Sequence, residues 1–119
     1  MCAPMPELSG NVLLLEDNLI VSLDVEEILK ELGAQNVYSA DTVKDALGLV
    51  DAHSYSFALL DVKLSDGDVF PVADRLLQIG VRICFATGHG DADFLKARYP
   101  GVAIIDKPYS KEDILALLQ

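Results

Sequence analysis

The sequence predicts a doubly wound α/β domain: a five-stranded parallel sheet with helices on both faces. Three observations carry this. Short apolar runs rich in Val, Ile and Leu recur along the chain without polar alternation, as strands buried on both faces require. Segments with a helical apolar stripe fall between them, giving five strand–helix units in series. Several of the apolar runs end in a polar or acidic residue, so chemistry collects where the strands end, and open α/β sheets bind ligands at that carboxyl edge.

Residues 1–9 hold Pro4, Pro6 and Ser9 with no periodic pattern and are expected to form a flexible N-terminal tail before a domain spanning 10–119. Val12 to Leu15 forms the first strand. Asn18 to Leu32 forms a helix with Val21, Val25, Ile28, Leu29 and Leu32 on one stripe, stopped by Gly33. Asn36 to Ser39 is a short strand. Asp41 is expected to cap a second helix, in which Val43, Ala46, Leu47 and Val50 share a face. Phe57 to Leu60 is the third strand. A third helix runs from about Val69 to Gln78, with Pro71 tolerated in its first turn. Val81 to Ala86 is the fourth strand, and a short, weak helix follows from Asp91 to Tyr99, where Asp91 and Asp93 only start the helix. Val102 to Ile105 is the fifth strand. Ser110 caps the last helix, with Asp113 placed for a near capping box.

A chain of 119 residues with 51% apolar residues is one domain able to bury a core without staples. A net charge of −10 disfavours nucleic acid and anionic membranes as direct partners. Cys2 and Cys84 are too few and too differently placed for a disulfide framework or zinc site. No apolar run approaches a membrane span, and no secretory signal precedes Cys2, so a cytoplasmic location is expected.

Glu16 and Asp17 follow the first strand, Asp61 the third, Thr87 the fourth and Lys107 the fifth. Three carboxylates gathered at one edge repel each other unless a cation sits among them, so metal-assisted chemistry is the first hypothesis. A strand-end aspartate can act as a nucleophile that forms an aspartyl phosphate. Asp17 and Asp61 can bind Mg²⁺ (or Mn²⁺), with Glu16 holding metal-bound water. Lys107 can neutralise a phosphoryl oxygen as a mobile point charge, and the Thr87 hydroxyl can donate to another.

Glu16-Asp17, Asp61, Thr87-Gly88 and Lys107-Pro108, in this order and each at a strand end, resemble the receiver domain of two-component response regulators over about residues 11–119. The resemblance implies a flavodoxin-like (βα)5 sheet of order 2-1-3-4-5. It implies phosphoryl transfer from a histidine kinase or a histidine phosphotransfer protein onto Asp61, with an unidentified protein as output. It also implies the backbone carbonyl of Lys63 as a further metal ligand and a cis peptide before Pro108. Such a domain is not a conventional enzyme; it catalyses only its own aspartyl phosphorylation and hydrolysis. Many receivers carry a switch aromatic three residues before the lysine, and here that position is Ile104. Phe85-Ala86-Thr87-Gly88 resembles a receiver subgroup that lacks that aromatic, though His89 and Gly90 depart from its pattern. Switching is therefore expected in the Gly88–Tyr99 segment. Lys63 and His89 are the expected tuning positions, Tyr109 a packing residue and His53 an exposed helix-end residue.

Three other readings remain. A pseudo-receiver would bind partners without a phosphate cycle, which the full acidic set disfavours. A haloacid-dehalogenase-type phosphatase would need a second aspartate where Lys63 stands. An FMN-binding flavodoxin would need an uncharged phosphate loop where Glu16-Asp17-Asn18 stands. The chain is either a stand-alone receiver or a piece of a larger regulator or hybrid kinase.

Overall fold

The computed structural model describes residues 8–88 and 90–118. His89 lies outside them. The main sheet contains β1 (Asn11–Leu15), β2 (Asn36–Ala40), β3 (Phe57–Asp61), β6 (Arg82–Thr87) and β7 (Ala103–Asp106). Between β3 and the third helix a two-residue antiparallel ribbon intervenes, β4 (Lys63–Leu64) and β5 (Gly67–Asp68), which the sequence reading treats only as a turn. The helices are α1 (Leu19–Glu31), α2 (Val43–Ala52), α3 (Phe70–Gln78), α4 (Ala92–Arg98) and α5 (Lys111–Leu118). The sheet order is β2-β1-β3-β6-β7, all parallel, which is 2-1-3-4-5 when only main-sheet strands are counted.

Strand side chains alternate between faces, so each strand feeds two cores. Leu13, Leu15, Ala58, Leu60, Ile83 and Phe85 pack with α2, α3 and α4. Val12, Leu14, Phe57, Leu59, Cys84 and Ala86 pack with α1 and α5. No unbroken polar stripe is possible on strands clothed on both sides, which explains their near-continuous apolar sequence.

Helix ends follow the sequence with two changes. Asn18 caps α1, its side chain accepting from the Val21 N–H at 3.1 Å, which leaves Asp17 free for other contacts. Gly33, with φ of 119°, turns the chain out of that helix. At α2 the cap is Thr42 rather than Asp41: its extended backbone aims the hydroxyl at the Asp45 N–H, 3.1 Å away. The α2 N-terminus also receives Asp66 from the β4–β5 turn, whose carboxylate accepts from the Val43 and Lys44 N–H groups at 2.8 and 3.1 Å. Those two bonds hold the Asp66 carboxyl below its ordinary range. Ser110 and Asp113 form a reciprocal capping box at α5, at 3.2 and 2.9 Å.

The expected tail needs one correction at its boundary. Leu8 is 5% exposed, packs in the α1–α5 core and donates to the Leu32 carbonyl at 2.8 Å. The Ser9 carbonyl accepts from the Ser56 hydroxyl. Leu8 and Ser9 therefore belong to the folded body, because an apolar side chain found a vacancy that no local pattern announces.

Candidate functional site

Register builds the site. β1 and β3 pair up to Leu15 opposite Leu60, so the next residues, Glu16 and Asp61, emerge side by side. β6 and β7 pair up to Thr87 opposite Asp106, which sets Lys107 beside Thr87; the Lys107 N–H donates to the Thr87 carbonyl at 2.9 Å. The two-residue period then sorts the side chains. Glu16, Asp61 and Lys107 continue the face that carries Leu14, Leu59 and Ile105, toward α1 and α5. Thr87 continues the face of Ile83 and Phe85, toward α4.

The polar groups meet accordingly. One oxygen from each of Glu16, Asp17 and Asp61 lies within 4.8 Å of the others. The Lys107 ammonium lies 3.1 Å from Glu16 Oε1 and 3.2 Å from Asp61 Oδ2, bridging the two. Glu16 is only 4% exposed, so Lys107 is the cation that makes its burial tolerable. Burial alone would lower the Lys107 pKa, but its hydrogen bonds and charge contacts with Glu16 and Asp61 prevail and raise it. Asp61 Oδ1 accepts from the Val62 N–H at 3.0 Å, which fixes the carboxylate plane.

Three carboxylates against one ammonium leave two negative charges. The donors are hard oxygens at helix and strand ends, a set that suits Mg²⁺ and not a soft metal. The chemistry of the cluster therefore fits a divalent ion held by Glu16, Asp17 and Asp61.

Thr87, also buried, donates its hydroxyl to Asp91 Oδ2 at 3.1 Å. Asp91 does stand at the start of α4, as the sequence leads one to expect, and the bond to Thr87 is a contact the sequence does not announce. Asp91 stands at the N-cap position of α4 but makes no side-chain cap bond there. No sequence motif announces the pairing, although four residues across a turn is within side-chain reach.

The carboxylate Asp61, the hydroxyl of Thr87 and Lys107 open into one cleft of about 590 Å³. Its apolar wall is Val21, Val25 and Ile28 of α1 with Pro108 and Tyr109. Lys63 and Gly88 line its mouth, and both are exposed. The Lys107–Pro108 peptide is cis, as expected. Tyr109 packs into the α1–α5 core; burial first, then the charges of Glu16 and Asp61, raise its phenol pKa. Ile104 pairs with Phe85 and packs, half-buried, against the α2–α4 core. His53 is exposed at the end of α2 and stacks on Tyr38, with ring centroids 4.0 Å apart.

A model of the response regulator receiver domain matches residues 12–119. This chain belongs to that family. The receiver is 30% identical to SdrG from Sphingomonas melonis, whose solution structure superposes with a TM-score of 0.75 over 96% of this chain and 98% of that one. It is 29% identical to SdrG in its BeF3-activated conformation, with a TM-score of 0.72 over 91% of this chain and 92% of that one. A receiver protein from Sinorhizobium medicae, 20% identical over 92% of this chain and 91% of that one, shares the fold with a TM-score of 0.82. Among curated proteins it is 27% identical over 111 residues to the transcriptional regulatory protein PdtaR of Mycobacterium tuberculosis. That alignment takes in 91% of the receiver but 54% of PdtaR, so the chain spans about half the length of this relative. Among the described residues, no helix is long and apolar enough to cross a membrane.

Proposed function

We propose that this receiver accepts a phosphoryl group on Asp61 from the phosphohistidine of a histidine kinase or a histidine phosphotransfer protein. The observation that carries the reading is the meeting of three carboxylate oxygens within 4.8 Å, with the Lys107 ammonium bridging Glu16 and Asp61. An Asp61 oxygen attacks phosphorus. The nitrogen–phosphorus bond breaks, its electron pair returns to the imidazole, and an acyl phosphate forms. Later attack of water on phosphorus releases inorganic phosphate and restores the carboxylate.

Glu16, Asp17, Asp61 and the Lys63 carbonyl would hold Mg²⁺, which supplies neutralisation of charge on the phosphoryl oxygens. Lys107 is placed to transfer its second contact, from Asp61 to a phosphoryl oxygen, without leaving Glu16. The Val62 N–H keeps Asp61 oriented with its other oxygen toward the cleft. The Thr87 hydroxyl is the remaining donor on the cleft wall. Catalysis on this reading is positioning and charge neutralisation. No turnover on other substrates is expected, because the position two residues beyond Asp61 holds Lys63 rather than an acid able to protonate a leaving group. The BeF3-activated form of SdrG supports the same reading, since beryllofluoride has the shape and charge of a phosphoryl group. The phosphorylated receiver then changes its affinity for an output protein, by a switch that does not use an aromatic at position 104.

Incubation with phosphorylated histidine kinases and phosphotransfer proteins tests the reading. Label should move to the wild type in Mg²⁺, fail to move in chelator, and fail to reach Asp61→Asn. Transfer to Asp61→Asn would contradict it. A receiver that bound these partners but took no label would instead be a pseudo-receiver.

A further inference from the structure

We propose that Asp91 is a positioning residue that competes with the phosphoryl group for the Thr87 hydroxyl, and so sets how readily the receiver enters its phosphorylated conformation. The inference rests on the reading of Asp61 as phosphoacceptor. A threonine hydroxyl has one proton to donate. Here that proton goes to Asp91 Oδ2 at 3.1 Å, and an ionised carboxylate can only accept. Thr87 is buried, so no water shell offers it a ready alternative. Asp61, Thr87 and Asp91 line the same cleft. Donation to a phosphoryl oxygen on Asp61 therefore requires the Asp91 bond to break first.

The position of Asp91 makes that exchange consequential. It stands where a cap residue would serve α4, yet its side chain makes no cap bond. Its carboxylate is held by Thr87 instead. Once released, it is adjacent to the unpaired N–H groups of the first turn of α4, which an aspartate side chain satisfies well. One hydroxyl thus links the chemistry at Asp61 to the start of α4. The strand parity explains why the link runs this way: Thr87 faces α4, whereas Glu16, Asp61 and Lys107 face α1 and α5.

The test is titration with Mg²⁺ and beryllofluoride, read from amide NMR spectra. Removing the competitor in Asp91→Ala should lower the half-saturating beryllofluoride concentration by about ten-fold, the scale of one charge-assisted hydrogen bond. Asp91→Asn, whose side-chain carbonyl still accepts, should fall between the two. Thr87→Ala should bind more weakly than wild type, and Asp91→Ala should add nothing in that background. A role for Asp91 confined to holding the loop predicts weaker binding. Simple charge repulsion of the phosphoryl group predicts a gain that survives Thr87→Ala. Either result overturns the proposal, as does unchanged binding.

A wild type that takes no beryllofluoride would remove the Asp61 reading, and a second measurement then decides on Asp91. In the ligand-free protein, Thr87→Ala should slow hydrogen exchange at the amides of Asp93 and Phe94, because Asp91 is freed to cap them. Exchange equal to or faster than wild type would overturn the exchange of partners.

Discussion

The two helices that border the site are anchored very differently. α1 has thirteen residues, a side-chain cap from Asn18, and Ser22, Val25 and Leu29 buried along its length. α4 has seven residues, no side-chain cap, and only Leu95 buried. Its other attachments are the Thr87–Asp91 bond at its start, the Phe94 ring 5.7 Å from Phe70, and its far end, where Tyr99 donates to Asp74 at 2.7 Å and the Arg98 guanidinium lies 4.4 Å from the centroid of the Phe70 ring. The carboxylates and Lys107 face the firmly held helix. The hydroxyl faces the loosely held one. A site built this way keeps its charge cluster fixed and leaves α4 the easier of the two helices to reorder.

The difference between α1 and α4 should show most strongly at one buried leucine in each, Leu29 and Leu95. Leu29→Ala should cost about 2–5 kcal/mol in urea unfolding. Leu95→Ala empties an equally buried position but should take less from the global transition, losing instead the exchange protection of residues 92–98. Equal losses in global unfolding would mean that α4 is as integral as α1. Lys107→Ala comes next. It leaves Glu16 and Asp61 facing each other without an ammonium, and should cost about 1–3 kcal/mol in metal-free buffer. Added Mg²⁺ should restore more stability to this variant than it gives the wild type, read from the urea midpoint. Asn18→Ala should cost about 1 kcal/mol, the value of one cap. Thermal melts would show it, and no loss would mean that the α1 terminus is held by packing alone.

The smallest effect is in pH. The folded Lys107 pKa lies above its ordinary 10.5, so the proton is held more tightly in the folded state. Its contribution is therefore complete below about 10.5 and is lost as pH rises through the folded value. Tyr109, raised by burial and by the same carboxylates, slopes the same way. The difference between wild type and Lys107→Met isolates the lysine, and should shrink as the solution is made alkaline. A difference that stays constant to high pH would deny the ammonium its role.

Much of this geometry was legible in the chain. Apolar runs ending at Glu16, Asp61, Thr87 and Lys107 place those residues at one edge, because parallel strands share a direction. The capping pair Ser110 and Asp113 could be read because both partners lie within one turn. What could not be read depended on distant partners or on side-chain direction. Asp66 caps α2 across more than twenty residues, and nothing local distinguishes it from an ordinary turn aspartate. Leu8 follows two prolines and has no periodic neighbours, so its burial depends on a core formed by α1 and α5. Thr42 displaced Asp41 as a cap because a one-residue choice is made by backbone dihedrals. Asp91 looked like an ordinary helix-starting residue, and only the strand parity of Thr87 shows why it is engaged elsewhere.

Folding gathers Glu16, Asp17 and the Lys107 ammonium around Asp61, which we propose as the phosphoacceptor. Peptide mapping of the receiver after reaction with a small-molecule phosphodonor tests it most directly. A single phosphorylated residue is expected, Asp61, whose modification requires Mg²⁺ and falls sharply in Asp17→Asn and Lys107→Ala. Phosphate on another residue, or on Asp61 at an undiminished rate without a divalent ion, would contradict it.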